Sequence, residues 1–173
     1  RSDSTDISLP NRLINQVTFL DKDTSIDVLG TNMILESDGL SRLSSYPESH
    51  AAIVRQFIYR NPIAHPSVMF RKLIFDKGFR YSDSFRYCED LEFWLRLWRK
   101  GFRFSNLKDH LVVYDASTSV RSTKDNWYNI RARIVNCTNL IIFVSVFLRL
   151  FHLLSPRLLR LWVQNNLGSK KND

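Results

Sequence analysis

The sequence predicts an α/β domain built on a mostly parallel sheet, followed by amphipathic helices. Short apolar and β-branched runs alternate with segments of helical periodicity through residues 1–120, and such alternation is typical of parallel sheets. From Lys124 onward the pattern changes to long amphipathic helices, broken by Ser155-Pro156. The chain has 173 residues and 44% hydrophobic content, which is enough for a domain with a substantial core.

The first predicted elements are a helix, a strand and a second helix. Pro10 suits a first helical turn, and apolar residues follow it at helical spacing, so we expect a helix over 10–20. The apolar, β-branched run 26–35 predicts a strand. Residues 36–47 are predicted to be irregular, and a helix is predicted over 47–59.

The second half of the domain is predicted to hold three short strands and a loop. Two prolines precede the apolar run 67–70, which suits a short buried strand. Residues 76–87 form a predicted loop. The segments "FRFSN" (102–106) and "HLVVYD" (110–115) predict two further strands.

A helix predicted over 89–100 begins with two adjacent acids and ends at Gly101, a good C-cap signal. Its buried face is predicted from i, i+3, i+4, i+7 spacing and comprises Leu91, Trp94, Leu95 and Trp98. In the first turn, the helix dipole stabilises Glu89 and Asp90 by roughly 0.3–1 kcal/mol each. They can therefore be an ordinary helix start. The functional alternative is a general base that removes a proton from an attacking hydroxyl.

Polar residues in two loops are further candidates. Asp3 and Asp6 lie in the polar segment 1–9, and spaced carboxylates in a loop suit a hard divalent cation with the phosphates it binds. The alternative is that Asp6 or Ser8 merely caps the following helix. His65 lies between two prolines and is either a hydrogen-bonded structural residue or part of a site. Sites on parallel sheets lie in the loops at the carboxyl ends of strands.

The positive charge is concentrated at one end of the chain. Residues 121–173 carry nine Lys/Arg and two acids, which gives +7 of the total +8 and indicates an anionic partner. Long apolar runs between these charges favour lipid or a buried partner over nucleic acid. The longest run, 140–148, is shorter than the ~20 residues that span a bilayer.

Several other classes of protein lack support. Cys88 and Cys137 are far apart, which argues against a disulfide framework or a zinc site and fits a reducing cytoplasm. The sequence contains no P-loop, dinucleotide-binding GxGxxG motif or nucleophile elbow.

Taken together, the chain resembles glycosyltransferase family 2, the inverting enzymes with the GT-A fold. Three segments carry the resemblance in order: "DSTDISLPNRLINQVTFL", "IDVLGTNMI" and "NPIAHPSVMFRK…GFRYSDSFRYCEDLEFWLRLWRKGFRFSNLKDHLVVYD". The three segments cover most of residues 1–120. Their occurrence together in this order is more specific to the family than any single segment. The resemblance implies transfer of a sugar from a nucleotide-sugar to an acceptor hydroxyl, with inversion at the anomeric carbon.

The resemblance also assigns roles to the candidate residues. The Asp of the family's Glu-Asp pair corresponds to Asp90, the expected catalytic base, and Glu89 would orient acceptor hydroxyls or support that base. His65 would lie near the acceptor or the diphosphate. Asp3 and Asp6 would bind the donor through a divalent metal, Mn or Mg.

The sequence departs from the family pattern in two places. The family's aspartate motif reads Asp-x-Asp-Asp, but Thr5 stands where a metal-binding carboxylate is usual. After Tyr114, Asp115 and Ala116 replace an Arg and a nearby His. Thr5 and the expected lack of the family's N-terminal nucleotide-binding part leave open a non-catalytic glycosyltransferase remnant or a membrane-interaction module.

The domain organisation follows from the same resemblance. Residues 1–120 are predicted to be the C-terminal portion of a Rossmann-like GT-A domain without its N-terminal nucleotide-binding part. The 173-residue chain alone is therefore expected to be inactive. Residues 121–173 are predicted to form a basic amphipathic helical tail. That tail either binds the inner face of the plasma membrane, as a peripheral cytoplasmic attachment, or packs on the sheet. The expected partners are a nucleotide-sugar donor and a glycan or lipid-linked acceptor in surface polysaccharide synthesis.

Overall fold

The computed structural model describes residues 6–117 and 123–136, with positions 143, 144, 146–148, 150 and 151. The strands in this part of the chain are β1 (Ile7–Ser8), β2 (Val28–Ser37), β3 (Leu40–Leu43), β4 (Met69–Phe70) and β5 (Phe104–Asp115). The helices are α1 (Arg12–Lys22), α2 (His50–Gln56), α3 (Lys72–Asp76), α4 (Glu89–Arg99) and α5 (Thr123–Val135), with a 3₁₀ turn over His65–Ser67. The α/β class is confirmed.

The described sheet is mixed and mostly antiparallel, so the prediction of a mostly parallel sheet is wrong. Its strand order is β1-β5-β2-β3, and β4 pairs with β2. The long pair β2–β5 is parallel, whereas β1–β5, β2–β3 and β2–β4 are antiparallel. The parallel pair is joined by a connection that contains three helices, whereas β2 and β3 are joined directly.

A tight hairpin explains one antiparallel pair. Asp38 and Gly39 connect β2 to β3 and both have positive φ, 51° and 76°. A two-residue loop of this kind matches the twist of an antiparallel hairpin. The prediction that 36–47 is irregular is therefore wrong over its first half.

Most predicted helices are confirmed, with shifted ends. The helices predicted over 10–20, 47–59 and 89–100 correspond to α1, α2 and α4, and Gly101 follows α4 with φ 84°. The helix α3 falls between the predicted strand at 67–70 and the predicted loop.

The last predicted pair of strands is one strand, β5. Its register with β2 shifts on both sides of Asn32, and the Asn32 side chain donates to the carbonyl of Lys108 at 3.0 Å. Lys108 and Asp109 are exposed, which interrupts the apolar pattern without ending the strand.

The main core lies between the sheet and the helices α2 and α4. Its fully buried residues from α4 are Leu91, Phe93, Trp94, Leu95 and Leu97. The predicted buried face of this helix is therefore confirmed, with Trp98 only partly buried, and the helix is buried over more of its circumference than one stripe. Burial on this scale makes α4 a rigid support for its first turn.

Buried polar side chains fix the loop that follows α2. Asn106 is 2% exposed and donates to the carbonyls of Pro47 and Pro62 at 2.7 and 3.0 Å. Ser67 accepts from the backbone N–H of Thr31 at 2.9 Å. These bonds tie both ends of the segment 62–67 to the sheet.

The helix α5 packs against α4, and its Arg131 and Arg133 side chains are directed at the protein. Arg133 is fully buried and donates to the carbonyl of Phe57, at the C-terminal end of α2, where a cation is favourable. Arg131 donates to the carbonyl of Ser84 at 2.9 Å. Trp162, which is expected near the lipid headgroups if the tail binds a membrane, lies outside the described residues.

Candidate active site

The first turn of α4 carries three acids, Glu89, Asp90 and Glu92, and the fold gives each a different environment. Glu92 is 3% exposed and accepts hydrogen bonds from Arg96 at 2.8 Å (Nε) and 3.0 Å (Nη2). This bidentate pair one helical turn apart makes Glu92 a structural residue. The other two acids face the loop that follows α2.

Asp90 is held through both carboxylate oxygens. Its Oδ1 accepts the backbone N–H of Leu91 at 2.7 Å, which also satisfies one of the unpaired donors at the helix start. Its Oδ2 accepts the side-chain Nδ2 of Asn61 at 2.6 Å. The carboxylate therefore has a fixed orientation before any substrate binds.

The environment of Asp90 changes its proton affinity. Burial raises the pKa of Asp90 from 3.8 to about 6, and the charge of Glu89 acts in the same direction. The hydrogen bonds from Leu91 and Asn61 lower it in part, because they stabilise the ionised form. A carboxylate with this pKa is largely ionised near pH 7 and is a stronger base than an ordinary Asp.

His65 lies beside the acid pair and links two other polar groups. Its Nε2 is 3.0 Å from the hydroxyl of Tyr81, and its Nδ1 is 3.9 Å from Oε1 of Glu89. The ring centroid lies 6.1 Å from that of Trp94, edge to face. The side chain is 13% exposed, so the imidazole has a restricted orientation with access to solvent.

Asp6 lies directly before β1, the strand at one edge of the sheet. Both its carboxylate oxygens are buried. Burial lowers the pKa of the neighbouring Arg12, and the negative charge of Asp6 offsets part of this effect. Arg12 also donates to the hydroxyl of Ser8 at 2.7 Å. Carboxylate oxygens suit a hard divalent cation, so Asp6 fits that role chemically, although Arg12 competes for the same charge.

The structure brings some of the predicted site residues together. Glu89, Asp90 and His65 form one cluster. The register of β1 with β5 pairs Ile7 with Val113, so Asp6 comes opposite Tyr114. Asp3 and Thr5 lie outside the described residues.

An apolar cluster connects the two parts of the candidate site. Ala64, next to His65, and Tyr114, opposite Asp6, both pack with Met33 and Val112. The acid cluster and the Asp6 region therefore both border this apolar cluster. Within the described part of the chain, three or more His, Cys, Asp or Glu side chains nowhere gather into a group that could hold a metal ion.

Two residues of the cluster were not predicted from the sequence. Asn61 contacts Asp90 and Tyr81 contacts His65. Asn61 precedes Pro62, and a residue before proline is restricted to extended backbone conformations. This restriction is the one feature of the sequence that marks Asn61 as a residue with a fixed position. Tyr81 lies in a predicted loop, where nothing in the pattern separates it from neighbouring aromatics.

Comparison with known proteins finds several glycosyltransferases of similar sequence. EpsE of Bacillus subtilis is 35% identical over 117 residues, which are 64% of this chain and 40% of EpsE. The amylovoran biosynthesis glycosyltransferase AmsE of Erwinia amylovora is 28% identical over 135 residues, 78% of this chain and 50% of AmsE. The O-antigen biosynthesis glycosyltransferase WbnJ of Escherichia coli is 33% identical over 117 residues, 66% and 45% of the two chains.

All three of these proteins are named as glycosyltransferases, and the chain is similar to them over about two thirds or more of its length. Two of the names refer to synthesis of bacterial polysaccharides. The chain spans half the length of these relatives or less. No protein-family model matches it.

Proposed function

We propose that this chain is the acceptor-side portion of an inverting family 2 glycosyltransferase with the GT-A fold. The full protein would move a sugar from a nucleotide-sugar to a hydroxyl of a glycan or lipid-linked acceptor in surface polysaccharide synthesis. The observation that carries the proposal is Asp90, a carboxylate with raised pKa, fixed at the start of a buried helix beside Glu89 and His65. Similarity to named glycosyltransferases supports it.

In the proposed mechanism, Asp90 acts as the general base. Its carboxylate accepts the proton of the acceptor hydroxyl as that oxygen forms a bond to the anomeric carbon. The bond from this carbon to the diphosphate breaks on the opposite face, so the configuration inverts and a nucleoside diphosphate leaves. Glu89 would accept a hydrogen bond from a second acceptor hydroxyl, with His65 completing that side of the site.

Asp3 and Asp6 are the residues that would hold a divalent cation. Mn or Mg bound there would neutralise charge that develops on the leaving diphosphate. Asp6, directly before β1, would supply one carboxylate. Thr5 cannot supply a third carboxylate, so the site would have fewer anionic ligands than the family pattern.

The direct test is a transfer assay with the full-length protein, nucleotide-sugars and candidate acceptors, with and without Mn or Mg. We expect release of nucleoside diphosphate that depends on the acceptor, and loss of that release when EDTA removes the metal. Donor hydrolysis without an acceptor product, or no turnover with any donor, would contradict the proposal.

The second candidate is a non-catalytic remnant, which Thr5 and the Arg12–Asp6 pair favour. Such a protein would bind neither donor nor metal tightly. In the same samples, calorimetric titration with nucleotide-sugars separates the two, because an enzyme binds its donor and a remnant does not.

We also propose that residues 121–173 attach the protein peripherally to the cytoplasmic face of an anionic membrane. Within 143–151, Phe143, Phe147 and Phe151 are 61%, 61% and 50% exposed and are spaced four residues apart, which places them on one helical face. Val146 instead packs against the core. No helix in the part of the chain that the structure describes is both long enough and apolar enough to cross a membrane.

Replacing Phe147 with Glu is expected to weaken binding to vesicles of phosphatidylcholine and phosphatidylserine by about tenfold or more, because a buried Phe contributes roughly 1.5–3 kcal/mol. Flotation of the protein with such vesicles measures the bound fraction. The control is Leu40→Glu, since Leu40 is 72% exposed on the β2–β3 hairpin. Equal binding by the two variants, or no binding by the unaltered chain, would exclude this membrane surface.

A further inference from the structure

The contact between Asn61 and Asp90 joins two segments that are far apart in the sequence. The distance of 2.6 Å between Asn61 Nδ2 and Asp90 Oδ2 is short for a nitrogen donor and is typical of a charge-assisted hydrogen bond. Both groups are partly buried, so competition from water is reduced. The bond therefore favours the ionised carboxylate and holds one of its oxygens in place.

The loop around Asn61 is fixed independently of Asp90. Pro62 follows Asn61, and its carbonyl accepts a hydrogen bond from the buried side chain of Asn106 at 3.0 Å. The Oδ1 of Asn61 lies 3.4 Å from the backbone nitrogen of Ile63 and accepts from it. Because Oδ1 faces this donor, the amide presents its Nδ2 to the carboxylate. Asn61 is thus a pre-oriented donor on an anchored loop.

A neutral donor suits a base better than a cation does. An Arg or Lys at this distance would neutralise Asp90 and lower its proton affinity. The titratable groups around the cluster include Glu89, whose charge raises the pKa of Asp90, and His65, which lies 3.9 Å from Glu89. Tyr81 contacts His65, and Cys88 precedes α4. Asn61 opposes the effects of burial and of Glu89 without adding a charge.

We infer that Asn61 is a positioning residue for the catalytic base: it orients Oδ2 of Asp90 towards the acceptor and keeps the carboxylate ionised. This inference rests on the proposed function for its catalytic meaning. The physical pairing of Asn61 with Asp90 can be measured without any substrate.

The first measurement is a titration of the Asp90 carboxyl by carbon NMR in the full chain, with Asp carboxyl carbons labelled and the Asp90 signal assigned by its loss in Asp90→Asn. The unaltered chain should titrate at about 6. In Asn61→Ala the titration midpoint of Asp90 should rise by about one pH unit or more. Loss of the hydrogen bond removes stabilisation of the ionised carboxylate, and a bond to a charged group is strong enough for a shift of this size. The control is Asn15→Ala, the same change at an exposed position of α1, which should leave the midpoint in place.

The second measurement is the pH profile of kcat/KM for transfer by the full-length protein. In Asn61→Ala, the acid limb of this profile should shift to higher pH by the same amount as the NMR midpoint. A rate that falls equally at every pH would mean that Asn61 is only structural and would overturn the inference. An unchanged NMR midpoint would overturn it as well. A shifted midpoint in a protein that transfers no sugar would retain the Asn61–Asp90 pairing and reject the proposed function.

A variant that fails to fold does not end the test. In the unaltered chain, the Asn61 side-chain amide protons should shift with the same midpoint as the Asp90 carboxyl, because the bond weakens when Asp90 is protonated. Amide signals that stay constant through this pH range would overturn the inference.

Discussion

Replacing Asp90 with Asn is expected to lower the rate of sugar transfer by the full-length protein by about 10²–10⁴-fold, the usual contribution of a general base. Asn has nearly the same shape and its Oδ1 can still accept the hydrogen bond from Leu91. Its Nδ2 would replace the oxygen that accepts from Asn61, and the side chain cannot take a proton. Donor binding should be nearly unchanged because Asp90 contacts the acceptor, and not the donor, in the proposed mechanism. The measurements are kcat with a saturating donor and calorimetric titration of the nucleotide-sugar.

The same substitution should stabilise the folded chain above about pH 6. The pKa of Asp90 is about 6 in the folded protein and 3.8 ordinarily, so the folded state binds more protons between these values. Stability therefore falls as pH rises through this window. Above pH 6, Asp90→Asn should raise the free energy of unfolding by about 1–2 kcal/mol, after allowance for partial solvent screening. Near pH 3 the gain should vanish.

This combination separates loss of the base from loss of the fold. The control is Asp76→Asn, the same chemical change at an exposed carboxylate of α3. It should leave kcat unchanged and should not reproduce the gain in stability. Retained turnover in Asp90→Asn would remove Asp90 from the role of base, and a destabilised variant would trace lost activity to misfolding.

The sequence predicts the support of the site better than its details. Apolar spacing in α4 is local, so the buried helix and its acidic start are predictable from one segment. The pattern does not separate the three acids, because their roles depend on groups that approach from elsewhere: Asn61 for Asp90, His65 for Glu89 and Arg96 for Glu92. Only the last of these partners lies one helical turn away.

The errors in the predicted sheet have a similar cause. Alternating helices and strands predict a parallel sheet when each helix carries the chain back to the same edge. Here the Asp38-Gly39 turn reverses the chain immediately after β2. The many polar residues in 36–47 suggest a loop and do not reveal the strand β3. The predicted break in β5 came from the exposed pair Lys108 and Asp109. The distant side chain of Asn32 bonds to Lys108 at this irregularity, and a local pattern does not contain that contact.

Trp94→Ala should have the largest effect on stability of the substitutions considered, lowering the free energy of unfolding by about 3–5 kcal/mol. Trp94 is fully buried, and its ring centroid lies 5.5 Å from that of Phe70, 5.7 Å from Phe93 and 6.4 Å from Tyr81. Removing the indole leaves a cavity that this rigid aromatic cluster cannot fill. Urea unfolding followed by circular dichroism measures the change.

The control for this prediction is Trp127→Ala, the same substitution at a residue that is 62% exposed on α5. It should change the free energy of unfolding by no more than about 0.5 kcal/mol. Trp94→Phe should cost far less than Trp94→Ala. Within the described residues the buried indole N–H has no hydrogen-bond partner, so Phe removes an unsatisfied donor while retaining most of the packing. Equal losses for Trp94→Ala and Trp127→Ala would contradict the placement of α4 in the core, and with it the rigid support proposed for Asp90.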